Sequence, residues 1–336
     1  MSKKKYHISI ILALIILFSL NTLMVSSVAP LYLGKQIFAW IMGLGLFFVG
    51  RFLDVKQISK YKRAIFIFCC VLLLIPILTN SITRGSRRWI NVGPITVQPS
   101  EIVKPLLMLN IASTQFPLIH LIPVFIILFQ PDLGSAISTL ILLAPIVLYN
   151  KKFFKLILLI SLIGALCSPL IWKFGFHDYQ KNRVTYFLNP NSDPLGKGYN
   201  VIQSKIAIGS GGFLGKGYKQ GTQGQLLFLP EKHTDFMFAS TAEELGFVGI
   251  SLVLLAYYFL LSGLIEKAYS TSNRLIFIFT LGIAIQIWFQ AFINIGMNLG
   301  ILPVTGIPLP FLSVGGSSLM AYLFSLGIIF SDYWEF

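Results

Sequence analysis

The 336-residue chain is 55% hydrophobic and 11% charged, with 26 Lys and Arg against 12 Asp and Glu. Soluble domains carry about 25% charged residues, so this composition excludes a water-soluble core and describes an all-α integral membrane protein. The basic residues are scattered between apolar runs rather than gathered on one face, which argues against a nucleic-acid interface and makes the charge a signal of membrane orientation.

Apolar runs suited to crossing ~30 Å of hydrocarbon occur near 8–28, 36–53, 64–79, 101–116, 118–131, 133–149, 156–174, 236–262, 275–297 and 316–331. They predict a polytopic bundle of about ten transmembrane helices forming a single membrane domain over 1–336, with a large extracytoplasmic loop (about 175–235) between the seventh and eighth. The fourth and fifth runs are short and meet at Pro117, so the number of spans stays open by one either way. The first run follows Lys3, Lys4 and Lys5 and ends in Ser27-Val28-Ala29, which resembles a signal-peptidase site. Pro30 directly after it and the length of the apolar stretch predict an uncleaved anchor. Cys69, Cys70 and Cys167 lie inside apolar runs as small hydrophobes and imply neither a disulfide framework nor a metal site.

Short cytoplasmic loops retain Lys and Arg. Lys3 to Lys5, then Arg51, Lys56, Lys60, Lys62 and Arg63, then Lys151, Lys152 and Lys155, then Lys267 and Arg274 all fall on one side, which predicts both termini in the cytoplasm. The outer loop over 80–100 breaks the rule with Arg84, Arg87 and Arg88. They either meet anionic headgroups or form a phosphate or pyrophosphate site, because the guanidinium fork matches phosphate oxygens. Trp89 is an interfacial anchor by default and, beside these arginines, a candidate for stacking on substrate.

Ser100 is predicted to cap the next helix, with Glu101 in its first turn and Lys104 within ion-pair reach. A local salt bridge is the plain reading, and a functional cation at membrane depth is the sharper one. Gln130-Pro131-Asp132-Leu133-Gly134 predicts a tight turn in which Asp132 caps the following helix.

In the large loop, glycines crowd between Gly196 and Gly224, among them Gly209, Gly211, Gly212, Gly215 and Gly217, predicting backbone that passes close to phosphate oxygens or sugar. This is not a nucleotide loop, because Gly217 follows Lys216 where Ser or Thr is required. Residues 201–208 predict a short interfacial helix with Ile202 and Ile206 on one face and Ser204 and Lys205 elsewhere. At the end of the loop, Thr234 or Asp235 either caps the next helix or Asp235, a carboxylate at the bilayer lip, serves as a general base. Glu243 and Glu244 lie about two turns further in and need interior partners. Gln286, Gln290, Asn294 and Asn298 recur every four residues as helix glue. Residues 303–313 carry three prolines and no charge, predicting a rigid, non-helical wall covered by protein.

Segments 84–104, 130–134, 199–217, 229–246 and 302–318 together resemble the signature stretches of the SEDS family, the RodA, FtsW and SpoVE proteins of shape, elongation, division and sporulation. Arg87-Arg88-Trp89-Ile90-Asn91-Val92-Gly93-Pro94-Ile95-Thr96 and Pro230-Glu231-Lys232-His233-Thr234-Asp235 are closer to the RodA branch. Val314 stands where that family has Tyr, and the connection at Pro117 is shorter than is typical. The resemblance implies a peptidoglycan glycosyltransferase that polymerises lipid II, an undecaprenyl-pyrophosphate-linked disaccharide peptide, at the outer face of the cytoplasmic membrane for cell elongation and shape.

The family's essential aspartate falls on Asp235, and its other functional positions fall on Trp89, Glu101 and Lys104. In that chemistry Asp235 takes the proton of the attacking sugar hydroxyl. Negative charge on the departing pyrophosphate is met by Arg84, Arg87, Arg88, Lys104 or a divalent cation, Mg2+ or Mn2+. The implied partner is a class B penicillin-binding protein that supplies the transpeptidase. A lipid II flippase and a non-catalytic scaffold of the cell-wall synthesis complex are the competing readings. The outer clustering of polar groups and the lack of an inverted repeat favour the polymerase.

Overall fold

The computed structural model describes residues 3–79, 88–92, 95–114, 116–150, 154–155, 198–226 and 228–331. The expected seventh span (156–174), Arg84, Arg87, Cys167 and the first part of the large loop lie outside the described residues.

Each of the other expected spans coincides with helical structure. Helices α1 (Lys3–Val28) and α2 (Pro30–Phe52) are separated by Ala29 alone, at φ −148° and ψ 60°. The second helix starts earlier than hydropathy suggests because Pro30 suits a first helical position, where its missing N–H costs nothing. A short α3 (Val55–Lys60) leads into α4 (Lys62–Leu78), and a hairpin of β1 (Ile90–Val92) and β2 (Ile95–Val97) precedes α5 (Pro99–Ser113). A 3-10 turn at Pro117–His120 opens α6 (Leu121–Leu128). The sixth expected span is α7 (Leu133–Leu140), a 3-10 turn at Ile141–Leu143 and α8 (Ala144–Tyr149), tightened just before Pro145, which has no N–H for the regular ladder. The large loop contains α9 (Tyr199–Ser210) and α10 (Thr222–Gln225), and the chain continues as α11 (Met237–Tyr269), α12 (Arg274–Asn298) and α13 (Gly316–Ile329).

The partition of side chains is that of a protein dissolved in lipid. On α12, Trp288 and Phe292 are 50% and 52% exposed while Gln286, Gln290, Asn294 and Asn298 are each 0% exposed. Lipid rewards no burial of apolar surface, so helices there associate by close packing and polar contacts. Helix α2 lies along α13 with main chains touching: a Cβ on Gly50 would sit 2.7 Å from the Phe324 carbonyl oxygen, and one on Gly327 2.0 Å from that of Phe47. Helix α1 is an integral member of the bundle, packed along α11 and tied to it where Ser27 Oγ donates to the Glu244 carboxylate at 2.6 to 2.7 Å.

Helix α11 is broken at Gly246 (φ 64°, ψ −158°). Into the break fits the glycine-rich segment 211–217. The N–H groups of Lys216 and Gly217 donate to the carbonyls of Glu243 and Glu244 at 2.9 and 3.0 Å, and the N–H groups of Phe247 and Val248 donate to Gly212 and Phe213 at 3.0 and 3.2 Å. Four main-chain groups orphaned by the kink are thus satisfied by the loop, as an apolar surrounding demands. Two of these glycines make their close approach to α11 itself: a Cβ on Gly211 would stand 1.9 Å from the Ala242 carbonyl oxygen and one on Gly215 2.2 Å from that of Glu244.

Residues 302–315 form the expected non-helical wall, half-buried to Gly306 and mostly buried beyond it. Its carbonyls need donors at this depth. Ile307 receives Asn294 Nδ2 at 2.8 Å, Pro310 the Tyr257 hydroxyl at 2.5 Å, and Leu312 Asn21 Nδ2 at 2.7 Å. Asn21 is oriented in turn, its Oδ1 accepting from Trp40 Nε1 at 2.9 Å and Gln36 Nε2 at 3.2 Å.

Candidate functional site

The segment 233–235 sits where the loop meets α11, and three successive carbonyls of it are held from outside. His233 accepts from the Val314 N–H at 2.9 Å, and Thr234 from Ser313 Oγ at 2.5 Å. Asp235 accepts from Asn294 Nδ2 at 3.0 Å and Asn298 Nδ2 at 2.9 Å. Ser313 is itself aligned by the Leu309 N–H, which donates to its hydroxyl at 3.0 Å. His233 stacks on Tyr32 with ring centroids 4.7 Å apart. The N-cap of α11 is Phe236, so neither Thr234 nor Asp235 occupies that position. Asp235 Oδ2 lies 3.7 Å from where a Cβ on Gly306 would be, which puts the carboxylate against the uncharged wall.

The wall and the start of α13 join this turn to a second cluster. A Cβ on Gly134 would lie 2.7 Å from the Thr305 carbonyl oxygen, and Ser317 Oγ accepts from the Gln98 N–H at 3.1 Å. Asp132 caps α7 as expected, accepting from the Ser135 N–H at 3.1 Å, and also pairs with Arg88 at 3.0 Å and takes Ser135 Oγ at 2.8 Å. Glu101 and Lys104 form a buried ion pair at 2.6 Å. Ser100 is not the cap of α5. The helix begins at Pro99, two residues before the start at Glu101 that such a cap implies, with Gln98 as N-cap, because proline at the first position starts it.

Among the described residues, Arg88 Nε, Trp89 Nε1, Ser100 Oγ and Glu101 Oε2 are buried without a hydrogen-bond partner. Such atoms are costly unless a ligand or water completes them. The expected set therefore divides: Arg88 and Trp89 immediately precede the hairpin and Glu101 and Lys104 follow it on α5, with Arg88 tied to the Asp132 turn, and Asp235 stands across the wall.

Glu243 and Glu244 have the interior partners they need, and those partners are in the loop. Glu243 takes Lys216 Nζ at 2.7 Å, Thr222 Oγ1 at 3.0 Å, and the N–H groups of Gln223 and Gly224 at 2.9 and 3.2 Å. Glu244 takes Ser27 Oγ, the Lys219 N–H at 3.2 Å and Gln225 Nε2 at 3.1 Å. Both carboxylates thus fasten 216–225 onto α11 and α1. Lys232 is buried and donates to the Gly224 carbonyl at 2.5 Å; burial pushes its ammonium below the ordinary lysine range, with Glu244 opposing the shift. On α9 the buried face is Val201, Ser204 and Ala207, while Ile206 is 44% exposed. Ser204 turns inward because its hydroxyl donates to the Asn298 carbonyl at 2.8 Å, on a face apart from Ile206 as expected.

The amides of α12 act as glue along its length: Gln286 and Gln290 both donate to Ser138 Oγ on α7, at 2.6 and 3.0 Å, and Gln290 accepts from the Tyr322 hydroxyl at 2.7 Å. Among the described residues no three His, Cys, Asp or Glu side chains gather as metal ligands.

Residues 4–332 match the family model described as cell cycle protein, FTSW_RODA_SPOVE. The chain is 40% identical to the peptidoglycan glycosyltransferase MrdB of Escherichia coli (strain K12) over 86% of its own length and 82% of that protein. It is 36% identical to the stage V sporulation protein E of Bacillus subtilis (strain 168), over 88% and 84%. Among solved structures it is similar to a chain of a peptidoglycan synthase complex that coordinates polymerization and crosslinking (TM-score 0.82, 32% identity, 96% of each chain). It is also similar to the rod shape determining protein RodA of Thermus thermophilus (TM-score 0.69, 27% identity, 95% and 94%).

Proposed function

Since the chain belongs to the FtsW, RodA and SpoVE family of cell cycle proteins and is, like its curated relatives, a membrane-embedded peptidoglycan glycosyltransferase, we propose that it polymerises lipid II into glycan strands at the outer face of the cytoplasmic membrane during cell elongation. Both termini then face the cytoplasm, in keeping with the loop charges.

In this reading a sugar hydroxyl of the acceptor attacks the anomeric carbon of the donor, with inversion. The new glycosidic bond forms as the bond to the lipid pyrophosphate breaks, and the hydroxyl proton passes to the Asp235 carboxylate. Charge on the departing pyrophosphate falls to Arg84, Arg87, Arg88 and Lys104. The unpartnered Arg88 Nε and Trp89 Nε1 supply donors for substrate oxygens, and the Trp89 ring a surface for a sugar face. Glu101 keeps Lys104 in place through their ion pair.

The observation that carries the reading is the fixing of 233–235 through three consecutive carbonyls. A base earns its rate by being held within a fraction of an ångström of its proton. A class B penicillin-binding protein is the proposed partner, since a structural relative belongs to a peptidoglycan synthase complex.

The test is Asp235→Asn in the purified full chain with labelled lipid II. The variant keeps the shape but cannot accept a proton, so polymerisation falls by ~10²-fold or more while insertion and partner binding persist. Near-normal glycan chains from this variant would remove the catalytic assignment. Translocation of lipid II in vesicles without polymer from the wild type would turn the reading to a flippase.

A further inference from the structure

The first turn of α11 has N–H groups that need acceptors, and the N-cap residue, Phe236, has none to offer. The Ala239 N–H, third in the helix, donates instead to Asn298 Oδ1 at 3.1 Å. A capping Asn or Asp ordinarily makes this bond from the residue just before the helix. Here it is made in trans, from the last residue of α12. The other half of the same carboxamide, Nδ2, donates to the Asp235 carbonyl at 2.9 Å. Asn298 is 0% exposed and its own carbonyl is held by Ser204 of α9, so the side chain has little room to turn.

We propose that Asn298 is a positioning residue for Asp235: one carboxamide caps α11 from the neighbouring helix and holds the Asp235 main chain, setting the carboxylate for proton abstraction. The proposal rests on Asp235 being the general base. Its physical content lies in the Ala239 N–H. A carboxylate that accepts a helix N–H is stabilised in its charged form and becomes a weaker base. With Asn298 in place, that N–H is already taken by a neutral acceptor. Among the titratable groups of the surrounding elements, Glu231, Lys232 and His233 are on the same turn, Tyr32 stacks on His233, Lys205 of α9 lies against Gly300, and Glu243 and Glu244 of α11 are engaged by the loop residues 216–225. Helix α12 presents amides, and 302–313 carries no charge.

The experiment compares Asn298→Asp and Asn298→Ala with wild type in purified full-length protein, reading kcat, KM for lipid II, the pH-rate profile and the melting temperature in detergent. Asp retains the oxygen that caps Ala239 but loses the donor to the Asp235 carbonyl and brings a second acidic group beside the base. Its kcat drops by about tenfold to ~10²-fold, the scale of a displaced base, with little change in KM, and the acidic limb of the profile moves to higher pH. The melting temperature falls too, because the buried carboxylate now faces the Asp235 and Asn294 carbonyls with no hydrogen to give them, so the profile is the deciding readout. Ala leaves the Ala239 N–H to the nearest carboxylate, so the acidic limb moves to lower pH with a comparable loss of kcat. Wild-type kcat and profile in Asn298→Asp, or losses that follow the melting temperature with the profile unmoved, would overturn the proposal. Retained turnover in Asp235→Asn would instead overturn the reading it rests on.

Discussion

The pair Glu101 and Lys104 is a sharp test of how charge is used inside this bundle. The two groups are 2.6 Å apart on α5, and the residues are 4% and 3% exposed. Lys104→Met leaves Glu101 Oε1 without its lysine beside an Oε2 that already lacks a partner. Glu101→Gln leaves a buried ammonium. Stranding one partner of a buried pair costs about 3–5 kcal/mol, while replacing both with neutral groups of similar volume is often close to neutral. The helix splits the two singles. Glu101 is in the first turn of α5, where the helix dipole favours an anion and disfavours a cation by roughly 0.3–1 kcal/mol. Glu101→Gln is therefore the more damaging single, and the double variant is more stable than either. Thermal unfolding in detergent of all four proteins gives the coupling directly. Polymerisation by the double variant then separates roles: recovered stability without recovered activity means that the pair also meets substrate. Additive small losses, or Lys104→Met as the worse single, would refute the reasoning.

Gly215→Ala places a methyl group 2.2 Å from the Glu244 carbonyl at φ +80° and so expels the loop from the kink in α11, whereas Gly212→Ala, at φ +56° with nothing within 4 Å, pays only the left-handed strain, about 1–2 kcal/mol. Melting temperatures should order wild type, Gly212→Ala, Gly215→Ala, and equal melting of the two variants would exclude the splice. Lys216→Met leaves Glu243 with three donors and costs about 1.5–3 kcal/mol, the worth of a hydrogen bond to a charged group, whereas Glu243→Leu strands all four and costs about 3–5 kcal/mol; limited proteolysis within 210–225 reads the difference. Cysteines placed at Ser86 and Ser270 in a cysteine-free background should label from opposite sides with an impermeant thiol reagent, and same-side labelling would overturn the assigned orientation.

Hydropathy is a local property, so the membrane class and the described spans were readable from the chain, as was the cap at Asp132, which bonds a neighbour three residues away. The hairpin was missed although Ile90-Asn91-Val92 and Ile95-Thr96-Val97 alternate about Gly93-Pro94, a legible turn signal. Asn21, Tyr257 and Ser138 were missed as well; their signal was a polar side chain in an apolar run, which needs a partner but does not name one.

What the sequence by itself determined is which groups must be satisfied: the polar atoms stranded in lipid, the N–H groups at the start of α11, and the carboxylates of Glu243 and Glu244. The tertiary structure decided by whom. Gly211 and Gly215 of the loop met a broken helix, the cap of α11 came from Asn298, and Ser204 turned inward to reach a carbonyl 94 residues away. A hydrogen bond is made over about 3 Å whatever the chain length between its partners. Composition and spacing announce the need, and only the packing of distant helices brings one particular donor within reach.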